Sequence, residues 1–257
     1  MQEDEDQVVA TSASKATEPL LEICVDDVTG LEAAIAGGAD RIELCSALGA
    51  GGLTPSRGFM AVAAKASIPV HALIRPRAGD FSYSEAEIAV METDIAAARE
   101  AGLAGVVIGA TSTQATLDVD VIQRLVKAAG GLNLTLHRAI DVVRDMDAAL
   151  DLAIALGFSR ILTSGGARHA EEGIETLARL AKRSAGRISI MPGGGVRPQN
   201  AARLLAVPGI RELHASCSEA IASEARLTEL GFSAETTRRT DAETVRALKN
   251  EMASSGR

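Results

Sequence analysis

Tryptophan is absent from the chain, tyrosine occurs once and phenylalanine four times, so aromatic residues make up 2% of the sequence. A core built without large rings must come from Ala, Leu, Val and Ile, which suits small-faced helices laid on an aliphatic sheet. Cysteine is scarce too. Cys24, Cys45 and Cys217 are an odd number, which argues against a disulfide scaffold. Seven prolines, and no long polar linker after the first eighteen residues, argue against separately folded parts. No run of about 18 apolar residues is present, and Met1 to Thr17 is acidic and polar rather than basic and then apolar. Positive charge is in deficit: the net charge of −8 argues against a broad nucleic-acid-binding surface, which needs a basic face. The expectation is a soluble cytoplasmic protein with neither a membrane nor a nucleic acid as partner.

What is there is a chain of 257 residues, 47% hydrophobic, ample for one large core. Residues 1–18 carry Glu3-Asp4-Glu5-Asp6 and then small polar residues without periodicity, and read as a disordered acidic tail. From residue 19 to 254 strand and helix patterns alternate. Strand signals fall at 20–26, 41–46, 70–75, 105–110, 133–140, 160–165, 188–191 and 212–218. Helical spacing falls between them, as in 84–101, where Ile88, Met91, Ile95 and Ala98 recur. The segment 241–253, with Val245 and Leu248 as its stripe, reads as the last helix. Gly37-Gly38, Gly102, Gly157 and Gly209 mark returns to the sheet. Eight such units predict an α/β protein, a (β/α)8 TIM barrel in a single domain.

The polar residues of the strands decide between that barrel and an open, doubly wound sheet. In Asp40 to Ser46, alternation puts Arg41, Glu43 and Cys45 on one face and Ile42 and Leu44 on the other. Across all eight strands one parity collects Glu22, Cys24, Asp26, Arg41, Glu43, Cys45, His71, Arg75, Thr135, His137, Arg160, Ser164, Met191, Glu212, His214 and Ser216. The other parity is almost wholly apolar. A sheet covered by helices on both faces is apolar on both, whereas a closed barrel gathers one parity around an axis where polar groups satisfy one another. Glu22, Arg41 and Arg160, low in the strands, read as interior ion pairs. Cys45, Arg75, His137, Ser164, His214 and Ser216 share the carboxyl ends, where barrel enzymes carry their chemistry.

Four features sharpen that end. Arg75 and Arg77, in Ile74-Arg75-Pro76-Arg77, offer guanidinium groups to a carboxylate or phosphate, with loop carbonyls as the alternative partners of Arg77. His137, Arg138 and Asp141 bring a base, a cation and a carboxylate together; His137 is a candidate general base or metal ligand with Asp141 as its orienting partner. Gly193, Gly194 and Gly195 follow the seventh strand, where backbone N–H groups can approach an oxyanion. The loop 47–56 is either a flap over the mouth or a turn with Ser56 as helix cap. Cys24 and Cys45, on consecutive strands and of inward parity, could hold Cu(I) with Met191 or a histidine, or be plain buried thiols.

Several strings resemble the CutC copper-homeostasis family: Leu21-Glu22-Ile23-Cys24, Ala39-Asp40-Arg41-Ile42-Glu43-Leu44-Cys45, Gly51-Gly52-Leu53-Thr54-Pro55-Ser56, Ile74-Arg75-Pro76-Arg77-Ala78-Gly79-Asp80-Phe81, His137-Arg138-Ala139, Leu162-Thr163-Ser164-Gly165 and Pro192-Gly193-Gly194-Gly195. The resemblance runs from about Leu20 to Ser218. It implies a TIM barrel, a cytoplasmic homodimer or higher homo-oligomer, and a role in copper handling in which Cys24 and Cys45 match proposed Cu(I) ligands. The family's usual segment past the eighth strand is missing after Ser218, and Leu136 and Ile140 stand where phenylalanines are usual.

Two functions remain open on these residues. A Cu(I) carrier needs soft ligands and gains nothing from guanidinium groups near a bound cation. An enzyme acting on a small phosphorylated or carboxylated metabolite, of isomerase or lyase type, needs them. Its catalytic set would be Glu43, Arg75, His137 and Asp141, and its anion set Arg77, Arg138, Gly193, Gly194, Gly195 and Ser216. No organic cofactor is expected in either case. A regulatory or scaffolding barrel is the non-catalytic alternative.

Overall fold

Every segment with alternating parity is a strand in the computed structural model, which describes residues 18–255. The expected acidic tail, residues 1–18, lies outside the described residues apart from Glu18. The strands are β1 (Leu20–Val25), β2 (Arg41–Leu44), β3 (Val70–Leu73), β4 (Gly105–Ile108), β5 (Asn133–Leu136), β6 (Arg160–Thr163), β7 (Ser189–Pro192) and β8 (Glu212–Ala215). Between them run α1 (Val28–Gly37), α2 (Arg57–Ala63), α3 (Glu85–Ala101), α4 (Val119–Ala129), α5 (Met146–Ala155), α6 (Ile174–Ser184) and α7 (Pro198–Leu205). Strands β1 to β6 pair with their successors in parallel, and β8 pairs with β1. β7 and β8 meet at the remaining seam without a ladder. The result is a nearly closed (β/α)8 TIM barrel.

Local chemistry explains where elements begin and stop. Ser84 caps α3 in a reciprocal box: its hydroxyl accepts from Glu87 N at 3.3 Å and the Glu87 carboxylate accepts from Ser84 N at 2.7 Å. Gly102 ends that helix at φ 80°, a conformation that costs glycine little. Apolar positions such as Ile23, Ile42, Leu44, Val106, Leu136, Ile161 and Leu213 are fully buried in one cluster with the inner faces of the helices.

The other parity turns inward. Low in the barrel, Arg41 donates Nε to Glu22 and Nη2 to Glu212 at 2.5 Å, with Met191 Sδ at 3.3 Å. Arg160 donates Nε to Glu212 at 3.2 Å and Nη1 to Asn133 and to Thr135 Oγ1. Burial works against the charge of Glu22, but Arg41 and His214 outweigh it and hold this carboxyl far below its ordinary range. Met191, expected as a soft ligand, is thus engaged with Arg41.

β2, β3, β4 and β6 each stop two residues earlier than expected, and three larger differences bear on the site. β5 stops at Leu136 instead of running to residue 140, because the His137 ring Nδ1 accepts from Ala139 N at 3.1 Å and starts a 3-10 turn over Arg138–Val142. β8 stops at Ala215, and Cys217 takes φ 44°. Beyond it stands an unforeseen antiparallel hairpin of β9 (Ser218–Ala222) and β10 (Thr236–Thr240), joined through α8 (Ala225–Glu229). Only then does α9 (Ala242–Ser255) pack against α1 and α7 as the expected final helix.

Candidate functional site

A cavity of about 740 Å³ opens at the carboxyl ends of the strands. Cys24, Glu43, Cys45, Arg75, His137, Arg138, Gly194, Gly195, His214 and Ser216 all line it, so the barrel brings most of the expected site residues to one space. The hairpin supplies a further wall with Thr236, Thr237 and Arg238.

On the β1, β2 and β8 side, single ligand atoms of Cys24, Glu43 and His214 lie within 4.8 Å of one another, all three residues buried. The register explains this: Cys24 pairs with Glu43 across β1 and β2, and His214 pairs with Glu22 across β8 and β1. His214 Nδ1 lies 2.9 Å from Glu22 Oε1, and Nε2 lies 3.7 Å from Glu43 Oε2. A carboxylate behind the far ring nitrogen is the arrangement that orients a metal-binding imidazole. Burial opposes a charge on His214, but contacts with Cys24, Glu22 and Glu43 carry its pKa well above the ordinary histidine value. Burial and the Glu22 charge raise the pKa of Glu43, although His214 pulls the other way. Cys45 stands beside this group, its Sγ 3.6 Å from Glu43 Oε2, and burial together with Glu43 pushes its thiol pKa well up. Cys24, Cys45, Leu73 and Val107 form one small buried cluster.

The donor chemistry fits a metal: one thiol, one imidazole and one carboxylate, with the second thiol adjacent. The two sulfurs and the imidazole suit a soft ion such as Cu(I), and the carboxylate widens the set toward borderline ions.

The opposite wall is different. Arg138 donates Nε to Asp141 Oδ2 at 2.7 Å and Nη2 to Ser164 Oγ at 2.7 Å. Asp141 also accepts from Ser164 N, Thr163 Oγ1 and Gly166 N, so it anchors the loops after β5 and β6 and does not itself line the cavity. Ser164 is part of the same anchor. The His137 side chain accepts at Nδ1, which leaves the proton on Nε2, and Nε2 has no partner. Burial, aided by the nearby Arg75 charge, lowers its pKa to about 3, so the ring is neutral near pH 7.

The two arginines of the third loop are turned mainly to the loops themselves, although the buried Arg75 Nε has no partner. Arg75 donates Nη1 to the carbonyls of Ala50, Gly51 and Gly52 and Nη2 to Gly79 O at 2.7 Å, and its guanidinium lies over the Phe81 ring. It clips the loop after β2 to the loop after β3 at the rim. Arg77 lies outside the cavity lining, bound to Glu87, Asp80 and Ser82 O. Gly193 is also off the lining; its N–H donates to Thr163 O at 3.0 Å, and a Cβ there would meet Leu162 Cδ1 at 2.3 Å. Of residues 47–56, Gly49, Gly51 and Gly52 line the mouth, and Ser56 Oγ caps α2 as expected by accepting from Phe59 N.

A sequence model of the CutC family matches residues 19–219. The chain belongs to the CutC family. A CutC family protein of Rhizobium meliloti (strain 1021) is 58% identical over 230 residues, covering 89% of this chain and 94% of the relative. Another, from Agrobacterium fabrum, is 56% identical over 232 residues, covering 90% and 92%. Among solved structures, a CutC protein of Streptococcus agalactiae, described as a candidate copper homeostasis protein, is 34% identical with a TM-score of 0.74; the match covers 77% of this chain and 98% of that one. The CutC match ends within β9, so the cavity wall contributed by Thr236, Thr237 and Arg238 stands beyond it.

The sequence pattern puts His214 at the carboxyl end of its strand but does not mark it as a ligand beside Cys24 and Glu43. Its parity was the available signal; its distance from Cys24 depends on β8 closing onto β1, which no local pattern encodes. Arg238 carried no signal at all.

Proposed function

We propose that this CutC family chain binds one Cu(I) ion at the barrel mouth as a copper-homeostasis protein, through Cys24 with His214 and the neighbouring Cys45. The observation that carries the reading is the buried group of Cys24, Glu43 and His214, with Glu22 behind the imidazole. An ion at Nε2 would displace the proton there, while Glu22 keeps Nδ1–H and the ring orientation. Three free thiols fit a reducing, cytoplasmic compartment. The CutC resemblance supports a homo-oligomer, which sedimentation velocity tests.

Anaerobic Cu(I) titration against a chelator of known affinity tests the main claim. The wild type retains a single ion, and Cys24→Ala/Cys45→Ala and His214→Ala each lose it. Unchanged stoichiometry in the double cysteine variant removes the reading.

A second reading is favoured by the size of the cavity, which far exceeds the needs of a lone ion. It is an enzyme that moves a proton on a small phosphorylated or carboxylated metabolite, as an isomerase or lyase does. Glu43, with its raised pKa, is the proton carrier, and neutral His137 donates Nε2–H to a substrate oxygen. Turnover of such metabolites, abolished in Glu43→Gln, tests it.

A further inference from the structure

The cavity is chemically polarised. Asp26, Glu43 and the two thiols stand on the side of β1 and β2; Arg138, His137 and the glycine loop stand on the side of β5 and β7. Three kinds of unspent donor belong to residues lining that second side. Arg138 is held as a preset fork by Asp141 and Ser164, yet among the described residues its Nη1 has no acceptor. Nη1 lies 3.2 Å from the place a Gly194 side chain would occupy, so the guanidinium borders the loop directly. The N–H groups of Gly194 and Gly195, at φ 94° and 73°, likewise donate to nothing among the described residues. His137 is 4% exposed, and its Nε2 has no partner. Of these donors His137 Nε2 is the buried one, and an unsatisfied buried donor is uncommon in folded proteins and calls for a ligand that accepts; Arg138, Gly194 and Gly195 are half-buried or exposed and line the same cavity.

We propose that Arg138 Nη1, the N–H groups of Gly194 and Gly195, and His137 Nε2–H form a seat for the phosphoryl group of a small phosphorylated metabolite. This deepens the enzyme reading, on which it rests for its physiological meaning. A tetrahedral oxyanion presents its oxygens in three dimensions and can accept from donors on different sides, whereas the acceptor sites of a carboxylate lie in one plane. Asp141 is a positioning residue here, because its other bonds turn it toward the loops and leave Nη1 free. The cavity is far larger than phosphate alone, so the organic part of the ligand extends toward Glu43 and the thiols.

The test uses full-length protein freed of metal by a chelator, with backbone amides followed by NMR while inorganic phosphate, glycerol phosphate or acetate is added. Glycerol phosphate is expected to shift the Gly194 and Gly195 amides and to bind more tightly than phosphate, with acetate weakest. Arg138→Met should weaken it at least about tenfold, the scale of one charge-assisted bond, and Arg138→Lys should restore only part. A Gly194→Ala chain, strained at φ 94°, supplies a second variant with the arginine intact, and it too should bind less tightly. The proposal is overturned if those amides do not move, if acetate binds as tightly, or if a folded Arg138→Met chain keeps wild-type affinity. Phosphate binding without any catalytic turnover would overturn the enzyme reading and leave the seat standing; turnover without Arg138 dependence would do the reverse.

Discussion

Replacing Arg41 with methionine removes the central cation of the barrel floor while keeping a similar length of apolar chain. Arg41 is 3% exposed and bonds both Glu22, itself fully buried, and Glu212. Losing one partner of a buried ion pair typically costs about 3–5 kcal/mol, because the remaining charge stays buried without compensation. Glu22 keeps His214 at 2.9 Å and Glu212 keeps Arg160 at 3.2 Å, so the lower end, about 3 kcal/mol, is expected. Set against a net stability of about 5–15 kcal/mol, that loss should lower the urea midpoint by about 1 M. The control is Arg57→Met, whose partner Glu100 is as near, at 2.6 Å, but whose pair is largely exposed and screened. Its midpoint should not move. If the two variants unfold alike, burial is not what gives the floor network its weight, and the inward-parity argument loses its energetic content.

Three further outcomes follow from named groups. His137 and His71 are buried neutral, with pKa values lowered to about 3 and about 4, mainly by burial. The unfolded chain therefore binds more protons than the folded one between those values and about 6.5. Stability is complete above that window and falls as pH drops through it, and urea unfolding at pH 7, 6, 5 and 4 should record a progressive loss that His137→Gln reduces. Gly173→Ala would place a Cβ 1.9 Å from Ser164 O, and overpacking against backbone should cost at least about 2 kcal/mol in thermal unfolding. Asp141→Ala frees Arg138 and the loop after β6, and should lower stability by about 2–3 kcal/mol while loosening phosphate binding as Arg138→Met does.

The barrel was legible because its signal repeats. Most of the eight strands alternate, β4 alone carrying no polar residue, and their polar halves could be satisfied only around a shared axis, where Glu22, Arg41, Arg160 and Glu212 now meet. The β9–β10 hairpin was illegible for the same reason in reverse: nearly every residue of Ser218–Ala222 and Thr236–Thr240 is exposed or half-exposed, so neither face carries an apolar parity. Strand ends were misplaced where a side chain took over the backbone, as His137 does at Ala139 N. At the site, residue types were readable but partners were not. Arg75 and Arg77 have the chemistry of anion clamps, and only the loop geometry reveals that carbonyls and Glu87 occupy them.

The most direct measurement on the central claim is X-ray absorption at the copper edge of Cu(I)-loaded protein, paired with His214→Ala. Sulfur scattering at about 2.3 Å together with an imidazole nitrogen at about 2.0 Å, the nitrogen vanishing in the variant, is the predicted result. A spectrum without sulfur, or one unchanged by His214→Ala, would contradict the assignment of the barrel mouth as the metal site.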